Sequence, residues 1–184
     1  MTKLVAGLLG VLLLTCGPRA SAEMPARAKE TLRGLPGVTV VVEPLQASAE
    51  QDGLTQRLLQ DDVEHQLQAA GIRVLTQEEW RRTPGSPYLY VSVSALKKSN
   101  GLYAYSIEVC LNQLVTLIRN QDIQDFAETW ETREVGTVGK NQLVSVQKSV
   151  TAHVNVFIRD YLSVNPRSLT NRDQRHSGVS QLAS

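Results

Sequence analysis

The sequence predicts a two-layer α+β domain, with two helices on one face of a mixed sheet of about five strands in the order β-α-β-β-β-β-α. Three observations carry this. A β-branched run at 38–42 precedes a helix-period stripe and a short apolar run at 72–75, the pattern of a parallel strand–helix–strand crossover. The stretch 88–133 alternates apolar and polar residues, with turn-forming residues between its segments. A second helix-period stripe, 143–162, closes the domain.

Gly34, Leu35, Pro36 and Gly37 punctuate the start of the folded unit. Val38, Thr39, Val40, Val41 and Val42 favour a buried strand, because side chains branched at Cβ fit a pleated surface better than a helix. Leu54, Leu58, Leu59, Val63, Leu67 and Ala70 recur at three- to five-residue steps, on one stripe of a helix of about 16 residues. Asp52 or Thr55 is placed to cap its start, and Gly71 its end. Ile72, Arg73, Val74 and Leu75 follow as a second strand.

In the meander, Leu89, Val91, Val93 and Ala95 alternate with Tyr88, Tyr90, Ser92 and Ser94. Ser99, Asn100 and Gly101 predict a hairpin turn. Beyond it Tyr103, Tyr105, Ile107, Val109 and Leu111 share one face of a long strand, whose pattern runs on through Val115 and Leu117. Asn120, Gln121 and Asp122 turn the chain again. The strand at 126–133 is anchored by Trp130, and Glu128, Glu131 and Glu134 suit it to a sheet edge. In the last helix Leu143, Val146, Val150, Val154, Phe157 and Tyr161 step by three or four, with Ile158 and Leu162 widening the stripe. Asn141 is its expected cap, and Asn165 and Pro166 its end.

Outside this unit, residues 1–22 read as a secretory signal. Lys3 precedes an apolar run, Gly17 and Pro18 break it, and Ala20, Ser21 and Ala22 close it as a small-residue cleavage site. The run is too short for a bilayer core, which takes about 20 residues. An alternative lies in Leu13, Leu14, Thr15 and Cys16, the outline of a lipoprotein box in which Cys16 would be acylated and tether the chain. Residues 23–34 read as a linker, 35–165 as a single α/β domain, and 166–184 as a polar, disordered tail. Cleavage after Ala22 removes Lys3 and Arg19 and no acid, leaving 17 basic against 18 acidic side chains. That balance excludes the concentrated basic footprint of a nucleic-acid binder. Cys110 is then the one remaining thiol, so no internal disulfide is expected.

Reaction chemistry is sparse. Paired Cys-x-x-Cys, His-Glu-x-x-His, Gly-x-Ser-x-Gly and Gly-x-Gly-x-x-Gly motifs are missing from the sequence, and no cofactor is expected. The run 136–140 approaches a phosphate loop, but Glu134 and Asn141 stand where that loop needs Gly and Ser or Thr. Asp61 and His65, four apart and beside Asp62 and Glu64, share a helix face that could ligate a metal or simply be solvated. His153 borders the last stripe, His176 lies in the tail, and Cys110 sits mid-strand as a packed residue rather than a reactive thiol. Tyr88, Tyr90, Tyr103 and Tyr105 gather near the hairpin; with Trp80 they form the candidate interaction face, or else serve as cross-strand packing.

The strand at 38–42, the helix to Gly71, the strand at 72–75, the meander and the final helix resemble a small α/β unit of bacterial envelope proteins. Examples are the N-terminal domain of the Tol–Pal translocation protein TolB and the lipoprotein activators of penicillin-binding proteins. The resemblance spans 35–165, rests on element order and export, and implies protein–protein contact rather than catalysis. The expected function is a non-enzymatic periplasmic or cell-surface interaction module with a protein partner. The alternatives are a small-ligand carrier and a hydrolase that assembles a carboxylate or histidine pair on folding.

Overall fold

The computed structural model describes residues 26–166. The segment 1–22 read as a secretory signal, with Cys16, and the stretch 167–184 read as a tail, with His176, lie outside the described residues. The chain is a mixed α+β unit with one four-stranded sheet, β1 (Thr39–Val42), β2 (Tyr88–Lys97), β3 (Leu102–Leu117) and β4 (Asn120–Gly139), ordered β1-β2-β3-β4 in space. The helices are α1 (Ala26–Glu30), α2 (Ala47–Gln51), α3 (Gln56–Ala69), α4 (Gln77–Arg82) and α5 (Leu143–Val164), with a 3-10 turn at Lys140–Gln142. β1 and β2 run parallel, and the other neighbours antiparallel.

The sheet has four strands, not five, because 72–75 forms no strand of its own. It contributes a single parallel bridge, Val38 to Val74. There the Val38 N–H donates to Arg73 O (3.0 Å) and the Leu75 N–H to Val38 O (2.9 Å). Farther along, α3 side chains take the acceptors a fifth strand would need. Gln60 Nε2 donates to Val40 O (3.2 Å) and Gln56 Nε2 to Val42 O (2.6 Å). The parallel partner of β1 is therefore β2, reached across α2, α3 and α4.

The two long helices form where their stripes predict. Thr55 caps α3, its Oγ1 accepting from the Leu58 N–H at 3.2 Å, and Gly71 follows the helix at φ +74°. Asp52, the other candidate cap, turns to the sheet, where it meets Lys97 (2.8 Å), Lys140 (2.9 Å) and the Tyr103 hydroxyl (2.7 Å). α5 starts after Gln142 rather than at an Asn141 cap, and it ends at Asn165 as expected. Leu59, Val63 and Leu67 of α3 and Val146, Val150, Val154 and Phe157 of α5 are buried on one side of the sheet. They pack against Leu89, Val91, Ile107, Val109, Leu111 and Trp130. Each such side chain contributes about 1.5–3 kcal/mol by leaving water.

The segment read as a linker enters the fold from residue 26 onward. Leu32 is fully buried, Lys29 pairs with the buried Asp160 (3.4 Å), and Asn165 Nδ2 donates to Leu32 O (2.8 Å). At the other boundary, β4 begins earlier than 126, because Ile118 and Arg119 make the turn by themselves. Tyr88, the first residue of β2, opposes Asn112, so 113–127 projects past β2 as a two-stranded arm.

Candidate functional site

Both long helices lie on one face of the sheet, so the opposite face is open, and its side chains follow from the register. One row reads Thr39, Tyr88, Asn112, Glu128, and the next Val41, Tyr90, Cys110, Glu131. The third holds Ser92, Glu108 and Arg133, with Glu43 bonded to Ser92 at 2.6 Å. At the arm end stands an aromatic cluster. The Trp80 ring stacks on Phe126 (centroids 6.3 Å, 14° between planes), and Tyr88 meets both edge-on, at 6.4 and 5.5 Å.

The sequence builds this cluster locally. Thr76 and Glu79 form a capping box that starts α4, and Trp80 follows at once. Its indole N–H donates to Ser86 O (2.7 Å) across a turn containing Gly85 at φ +77°, which fixes the ring over the start of β2. Phe126 remains 41% exposed and its neighbour Leu114 37% exposed.

Beside the cluster, Arg133 is shared by Glu131 (2.6 Å), Glu108 (2.8 Å) and Glu128 (3.1 Å). Burial, and then the Glu108 carboxylate, push the Glu128 carboxyl up from its ordinary value. Cys110 lies beneath these groups, 1% exposed, with its thiol pushed up to about 12 mainly by burial. It is therefore protonated at neutral pH and packs as a small side chain, as the sequence suggests. Glu108, Cys110 and Glu128 bring ligand-type atoms within 4.8 Å of one another, but Arg133 already supplies the cation there.

The five aromatic candidates do not form one face. Tyr88 and Trp80 meet, and Tyr90 follows Tyr88 on the same face. Tyr103 and Tyr105 point to the helix layer, because their register partners Lys97 and Ala95 are odd-numbered residues of β2, whereas Tyr88 and Tyr90 are even. Tyr103 is fully buried, its hydroxyl on Ser48 O (2.9 Å) and Asp52. The Tyr105 ring lies over Gly136, where a Cβ would come within 2.6 Å of it. Phe126 is the member that sequence reasoning missed.

The remaining candidates are placed plainly. Asp61 is exposed and pairs with Arg57 (3.6 Å), and His65 is exposed on the same helix. Lys140 is held by Asp52, not free for a phosphate. A cavity of about 290 Å³ borders that pair, beside Leu54 and Gln147. No protein-family model matches the chain, and no curated protein matches it in sequence.

Folding does assemble one histidine–carboxylate pair. His153 Nε2 lies 3.2 Å from Glu134 Oε2, and its Nδ1 lies 2.8 Å from Thr132 Oγ1. Glu134 Oε1 accepts from the Tyr105 hydroxyl (2.6 Å) and from Ser149 Oγ (3.1 Å). Every polar atom of the pair is thus engaged in tying α5 to β4. The Tyr105 hydroxyl first, then Ser149 and His153, hold the Glu134 carboxyl below its ordinary 4.5. A depressed carboxylate contributes stability that is present above its unfolded value and lost as pH falls through the folded one. The melting temperature of the wild type should therefore drop more steeply than that of Glu134→Gln as the pH falls below the ordinary carboxylate value. Parallel curves would remove this tie from the account.

Proposed function

We propose that the chain is a non-enzymatic interaction module of the bacterial periplasm or cell surface, docking a partner protein through the open sheet face. Export through residues 1–22 supplies the compartment, and acylation at Cys16 in place of cleavage after Ala22 would tether the same module. The observation that carries the reading is the Trp80–Tyr88–Phe126 cluster, with Phe126 exposed and Trp80 and Tyr88 half-buried beside it, set where β3 and β4 project past the rest of the sheet. Trp and Tyr dominate the few residues that carry most of the energy in protein interfaces. Here they stand on a frame held by a capped helix and a sheet, so little ordering entropy opposes docking.

The test is capture of a partner from envelope extracts. The wild type should retain one, and the Trp80→Ala/Phe126→Ala chain should lose it while keeping its circular dichroism and cooperative melting. Equal capture by both chains would contradict the reading, as would failure of the wild type to hold any partner.

A further inference from the structure

We propose that the partner segment is a basic extended peptide, with an apolar side chain on the Trp80–Tyr88–Phe126 cluster and an arginine or lysine two residues away on Glu128. This rests on the docking reading above and adds the chemistry of the occupant. Phe126 and Glu128 lie two residues apart on the same face of β4, next to Leu114 and Asn112 respectively. That separation is about 7 Å along the strand, the spacing at which an extended peptide presents alternate side chains.

The charge of the face is unbalanced. Glu43, Glu108, Glu128 and Glu131 stand on the three rows next to the cluster, with Arg133 as the cation among them. One guanidinium serves three carboxylates, so two negative charges around it are uncompensated. Glu128 bears the strain: burial and the neighbouring Glu108 raise its carboxyl above the ordinary range. A cation arriving from a partner relieves that repulsion, whereas an acidic partner would meet like charge. Cys110, protonated, adds no charge to the balance.

The probe is a fluorescent peptide carrying two copies of Phe-Ser-Arg, compared with its Phe-Ser-Glu counterpart by anisotropy against the full chain. The Arg peptide should bind, and the Glu peptide should bind about tenfold more weakly. Glu128→Gln should weaken the Arg peptide by about three- to tenfold while leaving the melting temperature equal or higher, because like-charge crowding is removed. A merely structural Glu128 would move both readings in the same direction. Equal binding of the two peptides, no effect of Glu128→Gln, or no binding of either peptide overturns the basic-partner inference. In the first two cases loss of binding in Trp80→Ala/Phe126→Ala would still leave the docking reading intact. Arg-peptide binding that survives that double variant contradicts both, since it would be charge attraction alone.

Discussion

Trp130→Ala should lower the unfolding free energy by about 3–5 kcal/mol, the largest effect expected of any single substitution in the sheet. Trp130 is 1% exposed and meets Phe157 edge-on at 5.2 Å, so truncation leaves a cavity between β4 and α5. It also removes the indole N–H that donates to Asp160 Oδ2 at 3.2 Å. Asp160 is itself 1% exposed, and its other contacts, Lys29 at 3.4 Å and Arg159 at 3.5 Å, are longer ion pairs. A buried carboxylate short of a donor adds to the cost of the cavity. Urea unfolding checks this directly, and a loss below about 1 kcal/mol would mean that the α5–sheet core is not packed as described. The same substitution at Trp80 should cost far less stability and act on docking instead.

Gly37→Ala should destabilise by about 2–3 kcal/mol, the upper part of the range for forcing extra volume into a packed site. A Cβ on Gly37 would fall 2.4 Å from the Arg73 carbonyl oxygen. That atom is backbone and cannot swing aside. It also accepts the Val38 N–H at 3.0 Å, so relief of the clash breaks the backbone bridge between Val38 and Val74. The control is Gly34→Ala, where a Cβ meets nothing within 4 Å and the cost is that of φ +74° alone. If melting shows the two variants equally stable, the close approach at Gly37 is wrong.

What the sequence made legible, and what it hid, divides along physical lines. α3 and α5 could be read because their apolar stripes repeat over several turns, and the Asn100–Gly101 turn because its backbone demands those residues. The fifth strand failed because four apolar residues do not reveal whether a neighbouring strand has free acceptors. Gln56 and Gln60 had already claimed those of β1. Nearness to the hairpin groups the four tyrosines, although their even and odd numbers separate Tyr88 and Tyr90 from Tyr103 and Tyr105. Phe126 was hidden more deeply. It stands four residues before Trp130, so strict alternation would put both on one face. A register shift between Leu111 and Asn112 inserts an extra residue on β4, turning Trp130 inward and Phe126 outward to Trp80. No single-sequence signal marks a bulge. The His153–Glu134 pair likewise needed β4 to run past 133, with Glu134 facing α5 rather than sharing the open face with Glu128 and Glu131.

On the proposed reading, the open face meets its partner through Trp80 and Phe126. Capture from envelope extracts with the wild type, Trp80→Ala/Phe126→Ala and Leu58→Ala tests it most directly. Leu58 is also exposed, at 37%, but it lies on α3 in the helix layer. The wild type and Leu58→Ala should retain the same partner, and the double variant, still folded, should lose it. Loss in Leu58→Ala with retention in the double variant would place the interface on the helices and contradict the account.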